Sequence, residues 1–399
     1  MFTQITHTQY AVFRVLFAAY LFVHFAYLSL FGAELFSHAG MLSDKALSPL
    51  SGVLPTLFAW VDTPVFVTGV LLSAAIAAVC LALDRGGRMA AGWMLFVLIS
   101  LFTRNPLIAN PALPYVGFML LLHLFVPPVD RRADATATLT WRLPTHLFVA
   151  ASVVLAVSYT YSGYTKLLSP GWVSGETLAL VLDNPLARDW WLRELFLSLP
   201  DDILRGITWF ILYVELLFAP LFLFGRLRFA LWLAMLIVQF GFLLLLSFPD
   251  LTIGMLLFHL LTFDPRWIKA RALGPSVLHY DGECGLCHGA IKFALREVKD
   301  TRLRFSAMQN EAGVDVDSVL SWRLVTDAGA LAKSDALLAL LQASGGYWRL
   351  AATLLDWVPR WLRDAVYDQV ARYRRRLFEA PRSLCPILPP QLRERFVVS

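Results

Sequence analysis

The strongest constraint on this chain is a succession of apolar segments, at about 10–31, 64–83, 89–102, 113–126, 146–162, 207–224, 229–247 and 251–263. A bilayer core about 30 Å thick takes roughly 20 apolar residues to cross as a helix. Only a helix or a closed barrel satisfies its backbone hydrogen bonds in hydrocarbon. The shorter segments reach across only if tilted or extended by amphipathic flanks. The pattern predicts an α-helical polytopic membrane domain of about eight helices, integral to a lipid bilayer. Composition agrees: of 399 residues, 58% are hydrophobic and 16% charged, against roughly a quarter charged in soluble domains. Residues 1–9 hold no Lys or Arg, and no small-residue cleavage site closes the first apolar run. That run is therefore expected to remain as a helix rather than to be a cleaved signal.

Loop charges orient such a domain. With eight crossings and a cytoplasmic N-terminus, the inner connections carry Arg85 and Arg88; Arg131, Arg132 and Arg142; Arg226 and Arg228; and Arg266, Lys269 and Arg271. The outer ones carry Lys45, Arg104, Lys166, Arg188 and Arg193. Basic loops stay inside, so a bacterial inner-membrane protein with a cytoplasmic C-terminal domain is expected. Two long outer stretches, Gly32 to Thr63 and Gly163 to Asp202, read as amphipathic loops or as a lid over a site open to that side. No basic stretch is interleaved with base-stacking aromatics, which argues against nucleic acid as a partner.

After residue 263 the pattern changes. The domains expected are 1–268 in the membrane, a linker at 269–276 and a small α/β domain at 277–399. Strands are predicted at 277–280, 303–306 and 322–326, and helices at 288–298, 334–343, 349–356 and 360–378. Ser334-Asp335 are the expected N-cap residues, and 381–399 reads as an irregular tail. The first strand leads into Asp281-Gly282-Glu283-Cys284-Gly285-Leu286-Cys287. A dithiol that exchanges with disulfides needs one low-pKa thiol and a second in reach to resolve the mixed disulfide. Two cysteines separated by two residues at a helix start supply both, because the helix N-terminus stabilises a thiolate. Cys284 is the expected nucleophile and Cys287 the resolving thiol. His288 can lower a thiol pKa or move protons, or simply be a partly exposed residue of the first turn. A buried, protonated Asp281 would carry a proton. Zinc needs four ligands, and neither Cys80 nor Cys385 nor the flanking His279 and His288 completes a familiar set, so no metal is expected.

These residues resemble the DCC family of thiol-disulfide oxidoreductases, named for an Asp and two Cys. The likeness covers 277–385. It rests on Asp281, Gly282, Cys284 and Cys287, on Ser334-Asp335-Ala336, Gly346-Tyr347-Trp348 and Tyr367-Asp368, and on Arg372 with Arg375. It implies a thioredoxin-like fold. The stretch between Ser276 and Val358 has no proline, unlike thioredoxins, which set a cis-proline opposite the cysteine pair to hold peptides. A small thiol or a dedicated partner protein is the more natural substrate.

In the membrane half, polar groups within apolar runs are costly unless used or paired. They include Arg14, His24, His123, Lys166, Glu215, Gln239 and His259, with Arg14 and Glu215 as candidates for one buried pair. Tyr159 to Leu167, followed by Trp172-Val173-Ser174-Gly175, is similar to the segment of vitamin K-dependent gamma-carboxylases and their bacterial transmembrane relatives (HTTM domains) that carries a lysine. That resemblance covers roughly 8–268. It implies Lys166 as a base acting on a quinone, the possible cofactor of this half. Dithiol exchange itself requires no cofactor. Three functions follow: a membrane-bound thiol-disulfide oxidoreductase, a quinone- or lipid-coupled redox enzyme, and a redox-sensing transporter or assembly factor.

Overall fold

The computed structural model describes residues 5–108, 110–129, 137–310, 321–378 and 390–397. Arg131, Arg132 and Cys385 lie outside them. The chain is mostly helical and divides into two compact units that do not follow chain order. One comprises Tyr10–Val126 and Pro144–Phe263; the other joins Met1–Gln9, Pro127–Leu143 and Asp264–Ser399.

In the first unit each of the eight apolar segments falls on a helix: α1 (His7–Phe36), α2 (Pro64–Ala82), α3 (Gly87–Arg104), α4 (Leu113–Phe125), α5 (Thr145–Leu167), α6 (Asp201–Leu216), α7 (Arg228–Leu245) and α8 (Pro249–Thr262). Four of these, α1, α2, α5 and α7, are long and apolar enough to cross a membrane. The segment 207–224 is broken, because α6 ends at Leu216 and a separate turn runs Phe218–Phe222. Between α5 and α6, short helices at Pro170–Ser174, Thr177–Leu182 and Trp191–Leu197 cover part of the second long loop.

Buried charges pair locally. Arg14 meets Asp84 at 2.6 Å, and Glu215 meets Lys166 at 2.5 Å. The expected Arg14–Glu215 pair does not form, since each charge has a nearer partner: Asp84 in the turn between α2 and α3 for Arg14, and Lys166 on α5 for Glu215. Helices α5 and α6 approach closely at Gly163, where an added Cβ would lie 2.3 Å from the Leu216 nitrogen.

The second unit is built on a four-stranded sheet in the order β2-β1-β3-β4. Strand β1 (Ser276–Tyr280) leads through helix α9 (Gly285–Glu297) to β2 (Leu303–Ala307), which lies parallel to it. Strand β3 (Arg323–Thr326) pairs antiparallel with β1 and turns into β4 (Gly329–Ala332), a strand the sequence reading missed. Alternation in β1 buries Leu278 and Tyr280. The α9 face of Cys287, Ile291, Ala294 and Leu295 closes the same core, with Phe305 and Leu324. Each such large side chain contributes about 1.5–3 kcal/mol on burial.

Helices α10 (Lys333–Ser344), α11 (Gly346–Asp356) and α12 (Arg360–Leu377) follow. Ser334 and Asp335 do not cap α10, whose N-cap is Ala332. Instead they reach α12: Ser334 Oγ donates to Asp364, and Asp335 pairs with Arg360 and Arg363.

The presumed linker is also packed. The Arg271 N–H donates to the Gln342 carbonyl, and the Gly346 N–H to that of Ile268. Gly345 turns there with φ +70, and a Cβ on it would sit 3.0 Å from the Ala270 nitrogen. The described end of the tail is ordered against β2: Pro390–Arg393 is helical, and Phe396 bridges Phe305 in parallel.

Candidate active site

The turn from β1 into α9 sets the cysteines. Cys284 is the N-cap of α9, with extended backbone, and its sulfur accepts the Cys287 N–H at 3.4 Å. Both residues are 1% exposed, so the pair is shielded from bulk water. The Cys287 thiol also donates to Cys284, and this hydrogen bond is the main cause that brings the Cys284 thiol down to about 6. Burial opposes the shift; the Cys287 N–H and the nearby Arg374 guanidinium add to it. Cys287 moves the other way, raised by its hydrogen bond to Cys284 and by burial. The Trp322 indole donates to the Cys287 sulfur at 3.4 Å and offsets part of that rise.

Asp281 is buried under the turn. Its Oδ1 accepts from the Glu283 N–H and from Gln309 Nε2, and its Oδ2 pairs with Arg374 at 3.1 Å. Gln309 also accepts the Gly282 N–H through its Oε1 at 2.9 Å, so one side chain braces both ends of the turn. A guanidinium and two N–H donors thus hold this carboxyl beneath the cysteine turn.

His288 is buried, not partly exposed. Its Nε2–H donates to the Gly282 carbonyl at 2.9 Å, and its ring meets Tyr280 edge-on. It is tied to the loop backbone of the motif.

The sequence reading missed Arg374, Gln309 and Trp322. Arg372, singled out there, is exposed. The Arg375 side chain lies outside the described residues. A helical signal was available: Tyr367 and Arg374 are seven residues apart, about two turns, and share a face of α12. Tyr367 uses its hydroxyl to accept the Trp322 N–H at 2.9 Å.

In the helical unit, Lys166 lies in the last turn of α5 with Nζ 2.7 Å from Ser162 Oγ, bonded to Glu215 and 4.9 Å from the Trp172 ring. On the same helix the Tyr159 hydroxyl accepts from Gln239 Nε2 of α7 and shares a hydrogen bond with His259 Nε2 of α8 at 2.7 Å. Elsewhere in this unit an apolar cavity of about 820 Å³ has His24, Asn110 and Asp250 at its wall. Asp250 accepts from both of the others. Lys166 does not line it. Among the described residues no cluster of three or more His, Cys, Asp or Glu is arranged to hold a metal ion.

A parallel β–α–β unit thus presents a cysteine pair at the helix N-terminus, with the Cys284 thiol lowered and the Cys287 thiol raised. Residues 278–380 match the family described as DCC1-like thiol-disulfide oxidoreductase. The chain is 30% identical over 129 residues to the uncharacterized protein YuxK of Bacillus subtilis (strain 168), covering 30% of this chain and 93% of that protein. It is 30% identical over 110 residues to a chloroplastic DCC family protein of Arabidopsis thaliana, covering 26% of this chain and 64% of that one. Through this domain the chain belongs to the DCC1-like family. The apolar helices lie outside the matched region. No solved structure matched significantly.

Proposed function

We propose that the protein is a membrane-bound thiol-disulfide oxidoreductase with Cys284 as nucleophile and Cys287 as resolving thiol. The observation that carries this reading is the Cys284 sulfur at the α9 N-cap, receiving hydrogen bonds from both the N–H and the thiol of Cys287. The thiolate attacks one sulfur of a substrate disulfide. A bond to Cys284 forms, the substrate S–S bond breaks, and the departing thiolate takes a proton from water. Cys287 then loses its proton and attacks the Cys284 sulfur, releasing the second substrate thiol and closing the Cys284–Cys287 disulfide. Two electrons pass to the substrate, and the reverse sequence oxidises a dithiol. No cofactor is needed.

Asp281, with Gln309 and Arg374, shapes the turn, and His288 holds it. The β1–α9–β2 unit followed by a hairpin supports a thioredoxin-like fold. The loop charges favour the cytoplasmic face of a bacterial inner membrane, where thiols are kept reduced, so the cycle would start from the dithiol. The partner is a small thiol or disulfide, or a redox protein. The test is exchange with a model disulfide in detergent. Cys284→Ser is expected to abolish turnover and Cys287→Ser to trap a mixed disulfide. Full activity of the Cys284→Ser protein would sink the proposal.

A second reading is favoured by the 820 Å³ cavity, a volume suited to a small lipid-soluble molecule. In it the membrane unit takes a quinone or similar lipid, coupled to the dithiol, with Lys166 as the base that the carboxylase resemblance implies. Since Lys166 stands outside the cavity wall, ligand cavity and base would be separate features. Quinone extracted with the purified protein, and a change in cysteine redox state on quinone addition, are the expected results. Their joint absence removes this reading.

A further inference from the structure

Within the sheet-containing unit, a second cavity of about 530 Å³ has a different character. Arg142, Arg266, Lys269, Arg296 and Lys299 line it, against a single carboxylate, Glu297. Two of the cations are already matched: Arg266 pairs with Asp264 at 2.7 Å, and Arg296 with Glu297 at 3.5 Å. Glu297 is buried and is held further by Thr6 Oγ at 2.6 Å and the Trp348 indole at 3.1 Å. Among the described residues the Arg142 guanidinium donates to the carbonyls of Leu139 and Trp141. Among the described residues no ion pair holds Arg142, Lys269 or Lys299. Three segments distant in sequence thus bring an unbalanced positive charge to one concave site.

Cys284 and Glu297 stand at opposite ends of α9, about 20 Å apart at 1.5 Å per residue. The cavity is therefore no part of the dithiol site. In the chain its residues flank apolar helices directly: Arg142 precedes α5, and Arg266 and Lys269 follow α8. Such positions border the headgroup layer, where clustered basic residues recognise acidic lipids.

We propose that this cavity binds a phosphate-bearing group, supplied by the headgroup of an acidic membrane lipid or by a free phosphate compound. The flanking apolar helices favour the lipid. The full chain in neutral detergent tests this. Native mass spectrometry follows retention of phosphatidylglycerol against phosphatidylcholine, and thermal unfolding follows stabilisation by inorganic phosphate. The wild-type chain is expected to retain phosphatidylglycerol selectively. Lys269→Gln with Lys299→Gln, both at exposed positions, is expected to weaken retention about fivefold per charge removed. Lys269→Arg with Lys299→Arg is expected to preserve it. Phosphate stabilisation lost in the Gln pair, without lipid selectivity, assigns the site to a free phosphate compound. A wild-type chain showing neither effect, or a Gln pair that binds as wild type does, overturns the proposal.

Discussion

At the residue scale the site is a contest between burial and hydrogen bonding around two sulfurs. Burial disfavours a thiolate; the Cys287 donors and the Arg374 guanidinium outweigh it at Cys284 and bring that thiol to about 6. The sign follows: the reactive thiolate is present above that pH and is lost as pH falls through it. Alkylation of Cys284 in the native dithiol is expected to slow roughly tenfold from pH 7 to pH 5. A midpoint of about 8.5, that of an ordinary thiol, would show that the Cys287 donors and Arg374 do not acidify it. Arg374→Gln is expected to move the midpoint upward and to loosen the turn through Asp281. Trp322→Phe removes the donor to Cys287 and is expected to make the resolving step slower, read as a longer-lived mixed disulfide after rapid quenching. The cysteines, Asp281 and His288 were legible because the motif is local. Arg374, Gln309 and Trp322 were not, because they arrive from distant points in the chain.

Among elements, α9 does two things at once. Its N-terminus holds the sulfurs, and its apolar face fastens it to the sheet, so the thiols are positioned by the core. The periodic signals that place α9, β1 and β2 were readable in sequence. Strand β4 was not, since all four of its residues are exposed and it has no buried alternation. The Ser334-Asp335 pair looked like a cap because those residue types favour caps, yet both serve the α10–α12 contact. Ser334→Ala is expected to cost about 0.5–1.5 kcal/mol, measurable as a lower denaturation midpoint of this unit. In the helical unit, Gly163→Ala puts a methyl against the α6 backbone. Overpacking of that kind costs about 1–3 kcal/mol, and a reduced melting temperature in detergent is the expected outcome. An unchanged value would mean that α5 and α6 separate freely at that point.

For the whole molecule, the dithiol unit is assembled from three stretches of chain. Leu139 belongs to its core cluster, and Thr6 hydrogen-bonds buried Glu297. A fragment beginning at residue 264 therefore lacks part of its own core, and it is expected to unfold at lower denaturant than the unit in the full chain. Equal stability would show that the outlying segments contribute nothing. Apolar length and period, read from sequence alone, determined that this chain has a membrane-type helical half and an α/β half with a dithiol turn, because hydrophobic burial and backbone hydrogen bonding act on near neighbours in the chain. Only the tertiary structure decided which charges pair, that Arg374 joins Cys287 in acidifying Cys284, and that residues 1–9 and 127–143 join the C-terminal unit. Those outcomes depend on contacts between residues far apart in sequence, which local residue type and spacing do not specify.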